Sequence, residues 1–360
     1  MSRPTIADVA VLAGVSKSTV SAVLNNKGAV KESTRRSVLR AMDELSYRPS
    51  PSARRGFQPL AAKSISFIVK EAQNPYYGEI LAGIQEVAAQ KGYVPYLSSS
   101  EGTYEIEKRI VEQGVEGEIG GLIITPIQND EADLSHIYEL KRSGTPFVLL
   151  EDVRGIRASM VDVDNVRGAA EAVEHLIELG HSRIAHFQGP GYSQHSQERV
   201  DGVRRAFSAS HLGLDPALLV PVGDSPEAGY RAGLEFFGAK RAEPVTGVTC
   251  YNDLVALGLL KALGELGLRV PQDVSVVGFD DLQMLEFFPV PLTTVHVPKR
   301  QMGNRAAEML IRQIESPREL PIERVSLEAR LVVRGSTRRL DAPRPPAAAR
   351  RGPVSGAHAL

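Results

Sequence analysis

From Ala61 onward the chain alternates short apolar runs with longer amphipathic segments, and this rhythm limits the possible folds more than any other feature. The runs are SISFIV (64–69), VPYLS (94–98), GGLIIT (120–125), PFVLL (146–150), SMVDV (159–163), RIAHF (183–187), LLVPV (218–222), GVTCY (247–251) and VSVVGF (274–279). Bounded short runs of this kind read as strands, and a strand covered on both faces needs apolar side chains throughout. Helical segments separate most of them, including Glu79–Lys91, Val166–Leu179, Val200–Ala209 and Leu254–Leu266. The predicted unit is therefore β-α-β, and the class is α/β with parallel sheets. Nine strands exceed what one doubly wound sheet commonly needs, and DVRGIRAS (152–159) breaks the rhythm. The sequence accordingly offers two lobes, dividing near 152–159.

The first sixty residues follow a different pattern. They hold ten Lys or Arg against four Asp or Glu, a balance of +6, whereas the remaining 300 residues carry −7. A basic head on an acidic body points to a polyanionic partner for the head alone. Thr5 with Asp8 forms a helix-capping pair, and Ile6, Val9 and Ala10 carry the first helix. In AGVS (13–16), Gly14 permits a tight turn and Ser16 can cap a second helix. Val20, Val23 and Leu24 give that helix one apolar face, so Lys17, Ser18, Ser21, Ala22 and Asn25 look elsewhere. A third helix is predicted over Glu32–Leu45, where Val38, Met42 and Leu45 recur at helical spacing. Three short helices with a glycine turn make a helix-turn-helix unit, whose second helix fits the DNA major groove. The helix pattern alone reads equally as a three-helix bundle with no partner, and the basic charge tilts the balance towards DNA.

The stretch from TIADVAVLAGVSKSTVSAVLNN to SYRP, with its D-V-A, A-G-V-S, T-V-S and V-L-N elements, resembles the headpiece of the lactose-repressor and galactose-repressor family of bacterial transcription regulators. The likeness continues to about Gly335. It implies a helix-turn-helix headpiece over 1–48, a hinge over 49–60 and a two-lobed, periplasmic-binding-protein-like effector-binding and dimerisation core over 61–335, with the chain recrossing between lobes near 280–300. By the same resemblance Thr5, Ser16, Thr19, Ser21, Asn25 and Thr34 hold phosphates or groove edges, Tyr47 belongs to the DNA-facing set, and Lys17 and Ser18 read bases. In relatives the hinge orders on the operator, placing a small residue and an arginine against the backbone and a leucine in the minor groove. Ala53 and Arg54 match that pattern, but Gly56 stands where the leucine would be. Either Phe57 enters the groove instead, or the hinge binds without a kink.

In the core, ligands of such sheets lie beyond the carboxyl ends of the strands. Tyr76 and Tyr77 follow the first strand, Arg199 follows RIAHF, Asn252 follows GVTCY, and Asp280 with Asp281 follows VSVVGF. Arg, Asn, Asp and Tyr together can bind neighbouring hydroxyls while an aromatic face covers a ring, which suits a sugar or related metabolite. Asn252 reads equally as a cap on the next helix, and Asp280 with Asp281 as an ordinary turn. Resemblance favours the binding role for Tyr76, Tyr77, Arg199, Asn252 and Asp280, since Arg199 lies in the family's S-x-x-R-x-x-G pattern with Ser196 and Gly202.

Other functions are disfavoured. GPGYSQ supplies half of a dinucleotide-binding turn, and no G-x-S-x-G or Walker pattern occurs, so no enzyme activity and no cofactor are expected. The eight histidines are scattered and Cys250 is the single cysteine, so no metal site and no internal disulfide are expected. No apolar run reaches a membrane span's length and the N-terminus lacks a signal-peptide core, which argues for the cytoplasm and against a transporter's solute-binding protein. Residues 336–360 are rich in Pro, Ala and Arg, lack heptads, and read as a disordered tail. The expected partners are a near-palindromic double-stranded DNA operator, a small-molecule effector, and a second copy in a homodimer.

Ala22 occupies a position where many relatives carry arginine, a bidentate reader of guanine. A systematic binding selection should therefore return a half-site that departs from the family's usual operator at the base pair facing Ala22. Recovery of the usual operator there would refute this reading.

Overall fold

The computed structural model describes residues 5–24, 30–45, 63–116, 119–128, 134–153, 155–239, 243–316, 318 and 320–340. At the amino end, α1 (Ile6–Leu12), α2 (Lys17–Leu24) and α3 (Glu32–Glu44) close on a small core of Val9, Ala10, Val20, Val23, Val38 and Ala41. Both oxygens of Thr5, backbone and side chain, take part in starting α1. The backbone carbonyl accepts from Asp8 N, while Thr5 N and Oγ1 each donate to Asp8 Oδ2 at 2.7 Å. The Thr5–Asp8 pairing is thus present with the acid as acceptor, and the hydroxyl gives its proton to the carboxylate. Those bonds hold the exposed Asp8 carboxyl below its usual range. Gly14 takes φ +66°, the left-handed backbone that closes the turn, and Val15 N reaches back to Ala10 O at 3.0 Å. Ser16 Oγ then accepts from Thr19 N at 3.1 Å, starting α2 in the manner its sequence predicts.

The rest of the described chain contains two six-stranded sheets. The first uses β1 (Ser64–Val69), β2 (Val94–Ser99), β3 (Gly121–Ile124), β4 (Phe147–Leu149), β5 (Met160–Val163) and β11 (Arg324–Leu327) in the order β11-β5-β4-β3-β1-β2, all parallel. The second uses β6 (Ile184–Gln188), β7 (Leu219–Pro221), β8 (Gly247–Cys250), β9 (Ser275–Asp280), β10 (Thr293–His296) and β12 (Arg330–Val332) in the order β12-β10-β9-β8-β6-β7. Its pairs are parallel except β10 with β12. Helices α4 (Pro75–Lys91), α5 (Tyr104–Val115), α6 (Ser135–Ser143) and α11 (Lys299–Glu315) belong with the first sheet. Helices α7 (Asn165–Glu178), α8 (Gln194–Ala209), α9 (Pro226–Gly238) and α10 (Asp253–Glu265) belong with the second. The chain passes between the two units at Val163/Asp164, Val297/Pro298 and Leu327/Glu328.

All nine apolar runs are strands, and the central ones are buried along their whole length, which explains their unbroken hydrophobicity. SMVDV, which follows the break at 152–159, pairs with β4 and stays in the first sheet. Three strands carry no comparable signal. Strand β10 is rich in threonine, and β11 and β12 are edge strands of four and three residues that begin with arginine. Edges tolerate charge because one side of the strand is unpaired. The chain also stays ordered past Gly335, contrary to the tail boundary read from composition. The buried Ser336 donates to Val276 O at 2.6 Å and accepts from Thr293 N at 2.8 Å, and Leu340 N donates to Leu179 O at 2.8 Å. Residues 341–360 lie outside the described residues.

Helices α7 and α8 touch at Gly202, where an added Cβ would stand 2.3 Å from Val166 O. In an open helix glycine to alanine stabilises by up to about 1 kcal/mol, but here the clash reverses the sign. Gly202→Ala should lower stability by roughly 1–3 kcal/mol in urea unfolding, whereas Gly264→Ala, with no atom within 4 Å, should be neutral or stabilising.

Candidate functional site

In the head, Lys17 and Ser18 are exposed on the first turn of α2, while Thr19, Ser21, Ala22 and Thr34 are half-buried. The Ser16 hydroxyl lies 2.7 Å from that of Ser18 and 2.8 Å from that of Thr19. Three hydroxyls thus converge on the amino end of a helix, where the dipole and unpaired amides favour an anion. Val20 and Val23 turn inward and fix which face remains outside. Asn25, Tyr47, Ala53, Arg54, Gly56 and Phe57 lie outside the described residues.

In the second unit, Arg199 rises from α8 and is 4% exposed. Its Nε donates to Asn165 Oδ1 at 3.0 Å, Nη1 donates to the Tyr251 carbonyl, and Nη2 is 3.7 Å from Asp280 Oδ1. The guanidinium carbon sits 3.6 Å from the Phe279 ring centroid and 4.6 Å from that of Tyr251. A planar cation with an aromatic contact and several fixed acceptors has little rotational freedom left. Asn165 is itself held, its Nδ2 donating to Glu198 at 3.0 Å. Gly202, one turn beyond Arg199, allows the helix contact that brings Arg199 and Asn165 together.

Asn252 is buried and caps α10, its Oδ1 accepting from Val255 N at 2.8 Å and its Nδ2 donating to Asp224 O at 2.9 Å. The cap reading is therefore realised. Asp280 and Asp281 take φ +112° and +57°, so two consecutive residues without glycine's freedom occupy left-handed backbone. The turn is braced from below by Asp253, which accepts from Leu282 N at 2.7 Å and from the Thr294 hydroxyl at 2.6 Å. Burial, with the nearby Asp280 charge, pushes the Asp253 carboxyl up to about 8. Asp281 is bonded to His296 Nδ1 at 2.8 Å and to Arg334 Nη2 at 2.6 Å. Burial would raise its carboxyl, but these two partners outweigh that effect and hold it at about 2.

Arg199, Asn252 and Asp280 are thus brought to neighbouring strand ends of one unit. Tyr76 and Tyr77 belong to the other. Tyr77 is 9% exposed and stands edge-on to Phe67 at 6.1 Å, so its ring is part of the core. Tyr76 is half-buried, 5.4 Å from the Tyr77 ring, and its hydroxyl lies 3.7 Å from Met302 Sδ. Sequence reasoning missed Asn165, Tyr251 and Phe279, which sit at the start of a helix, just after a strand and within a strand. No residue pattern marks them; Tyr251 and Phe279 immediately precede Asn252 and Asp280, and Asn165 had no cue at all. Among the described residues no group of three or more His, Cys, Asp or Glu side chains could hold a metal ion.

A basic helix-turn-helix head followed by two parallel-sheet units, one with a pinned arginine among Asn and Asp side chains, is the layout of a DNA-binding regulator that responds to a small molecule. Residues 5–50 match the family described as bacterial regulatory proteins, lacI family, and residues 173–337 match the periplasmic binding protein-like domain. The HTH-type transcriptional repressor PurR of Vibrio vulnificus is 32% identical over 340 residues, covering 94% of this chain and 99% of the relative. PurR of Haemophilus influenzae is 31% identical over 338 residues, covering 93% and 98%. Among solved structures, the complex of the transcriptional regulator CelR with cellobiose is 31% identical, covers 93% of this chain and all of that one, and superposes with a TM-score of 0.70. A LacI family regulator of Enterococcus faecium with bound ribose is 28% identical, covers 78% of this chain and all of that one, and gives 0.68. The chain belongs to the lacI family of bacterial regulatory proteins. It is a DNA-binding transcriptional regulator with an effector-binding core. No single helix among the described residues is long and apolar enough to cross a membrane.

An acid whose folded pKa is depressed favours the folded state above its unfolded value near 3.8 and loses that contribution as pH falls towards the folded value near 2. Asp281→Asn should therefore cost about 2 kcal/mol at pH 7. Urea midpoints of the two proteins should converge as pH drops from about 4 towards 2.

Proposed function

We propose that this protein is a cytoplasmic repressor, acting as a homodimer on a near-palindromic double-stranded DNA operator, and that a sugar or related polar metabolite controls its affinity. The observation that carries the effector reading is the fixed guanidinium of Arg199, whose partners leave donor capacity beside the Asp280 carboxylate and the remaining Nδ2 proton of Asn252. A preorganised cation and carboxylate at strand ends suit vicinal hydroxyls, which both donate and accept. Relatives solved with cellobiose and ribose support a sugar-like ligand. By the family resemblance Tyr76, half-buried after β1, would supply an aromatic contact, whereas the Tyr77 ring, turned against Phe67, would not. Control of operator affinity then requires that the effector bind two arrangements of the core unequally.

On the DNA side, Lys17 and Ser18 would read base edges. Thr5, Ser16, Thr19, Ser21, Asn25, Thr34 and Tyr47 would position the head, Ala22 would offer an apolar contact, and Ala53, Arg54 and Phe57 would serve the hinge. The dimer is supported by Val94, Tyr96 and Leu97, which are 46%, 55% and 42% exposed on the edge strand β2. Exposed apolar edges call for cover, and pairing two heads multiplies the phosphate contacts. The reading involves no catalysis and no cofactor.

A thermal-shift screen against ribose, cellobiose, sugar phosphates and nucleobases should yield a hit that adds about 2.7 kcal/mol at 100 times its dissociation constant. That shift should disappear in Arg199→Lys and Asp280→Asn, and its survival in both would sink the effector assignment. Lys17→Ala or Ser18→Ala should weaken operator binding by about 1–3 kcal/mol while leaving binding to unrelated DNA nearly unchanged.

A further inference from the structure

Beneath Arg199 lies a histidine that regulation as described does not use. His186, on β6, is 2% exposed, and its Nδ1 is 2.9 Å from the Thr249 hydroxyl on neighbouring β8. Its second ring nitrogen, Nε2, is fully buried and has no hydrogen-bond partner among the described residues. Leaving a buried polar atom in that condition is costly, so such atoms usually have a partner, often an ordered water. His186 and Arg199 line the same small cavity, together with Thr249, Cys250, Gly278 and Phe279. Its volume is about 10 Å³. One water needs roughly 10–15 Å³ of such space and two or more polar neighbours. Arg199 can supply one, because Asn165, Tyr251 O and Asp280 engage three of its five N–H groups.

We propose that this cavity is a binding site for one internal water that accepts a hydrogen bond from the Arg199 guanidinium and donates one to His186 Nε2, making His186 a positioning residue for Arg199. The arrangement fixes the tautomer. If Nε2 accepts, the ring proton is on Nδ1 and is donated to Thr249 Oγ1, so β6, β8 and α8 are tied together through one water. A protonated imidazole would lose the acceptor and set a second cation against Arg199. Burial first, and the Arg199 charge second, lower the His186 pKa to about 3, which keeps the ring neutral. Cys250, whose thiol burial pushes far up, adds no anion to the cavity. The consequence for effector binding rests on the reading of Arg199 as an effector contact, whereas the water site does not.

Full-length protein labelled with ¹⁵N-histidine tests the tautomer. The His186 signal, identified by its loss in His186→Gln, should show a protonated Nδ1 and a bare Nε2, and a protonated Nε2 overturns the proposal. A high-resolution crystal structure should show water between His186 Nε2 and Arg199, and a site without that water overturns it equally. Positioning is read from ¹⁵N relaxation of the Arg199 guanidinium, whose rotation about Nε–Cζ should quicken severalfold in His186→Leu. His186→Gln should restore slow rotation, because its amide oxygen can accept from the same water. Equal rates in all three proteins remove the positioning role, and if His186→Leu does not fold, the first two measurements decide on the unaltered chain. Should water and tautomer be found while Arg199→Lys retains the ligand-induced thermal shift, the effector assignment fails and the water site stands.

Discussion

A guanidinium in a protein interior must have its donors satisfied, and in this protein that requirement organises the second unit around Arg199. Its acceptors come from the start of α7, from the backbone just after β8 and from the end of β9, with the Phe279 ring 3.6 Å away. Each partner is in turn constrained. Asn165 is held by Glu198, and Asp280 stands in left-handed backbone braced from Asp253. Strain of that kind survives where surrounding structure over-determines it, and it is concentrated where a ligand would meet the strand ends. Removing the arginine would leave a carboxylate, an amide oxygen and a backbone carbonyl without their donor, so the network is cooperative.

The head follows a different economy. Its core is a handful of small apolar residues, and local chemistry carries much of the specification. Gly14 supplies the left-handed turn, and Ser16 and the Thr5–Asp8 pair begin the two helices. Because valines 20 and 23 fill the inner face of α2, the polar outer face can vary without disturbing this core.

Much of this was legible before any coordinates. Runs such as SISFIV and GVTCY are apolar throughout because they are covered on both faces, and the nine of them mark nine strands. Strands β10, β11 and β12 were not legible, since four threonine-rich residues or a short arginine-bearing edge look like loop until a neighbouring strand offers them a partner. Ser336 to Leu340 failed for the same reason. Their order comes from Val276, Thr293 and Leu179, residues far away in sequence. In the site, Arg199 and Asp280 announced themselves by residue type and position. Tyr77 did not reveal that its ring turns into the core against Phe67.

The sequence by itself determined the class of the protein, because apolar period, turn glycines, capping hydroxyls and the charge split between head and body are local properties that survive without a fold. The tertiary structure alone decided which strands close each sheet, that Asn252 serves as a cap, and that Asn165, Phe279 and the Tyr251 carbonyl surround Arg199. Those choices depend on atoms brought together across dozens of residues, where burial turns an ordinary polar group into one that must find a partner.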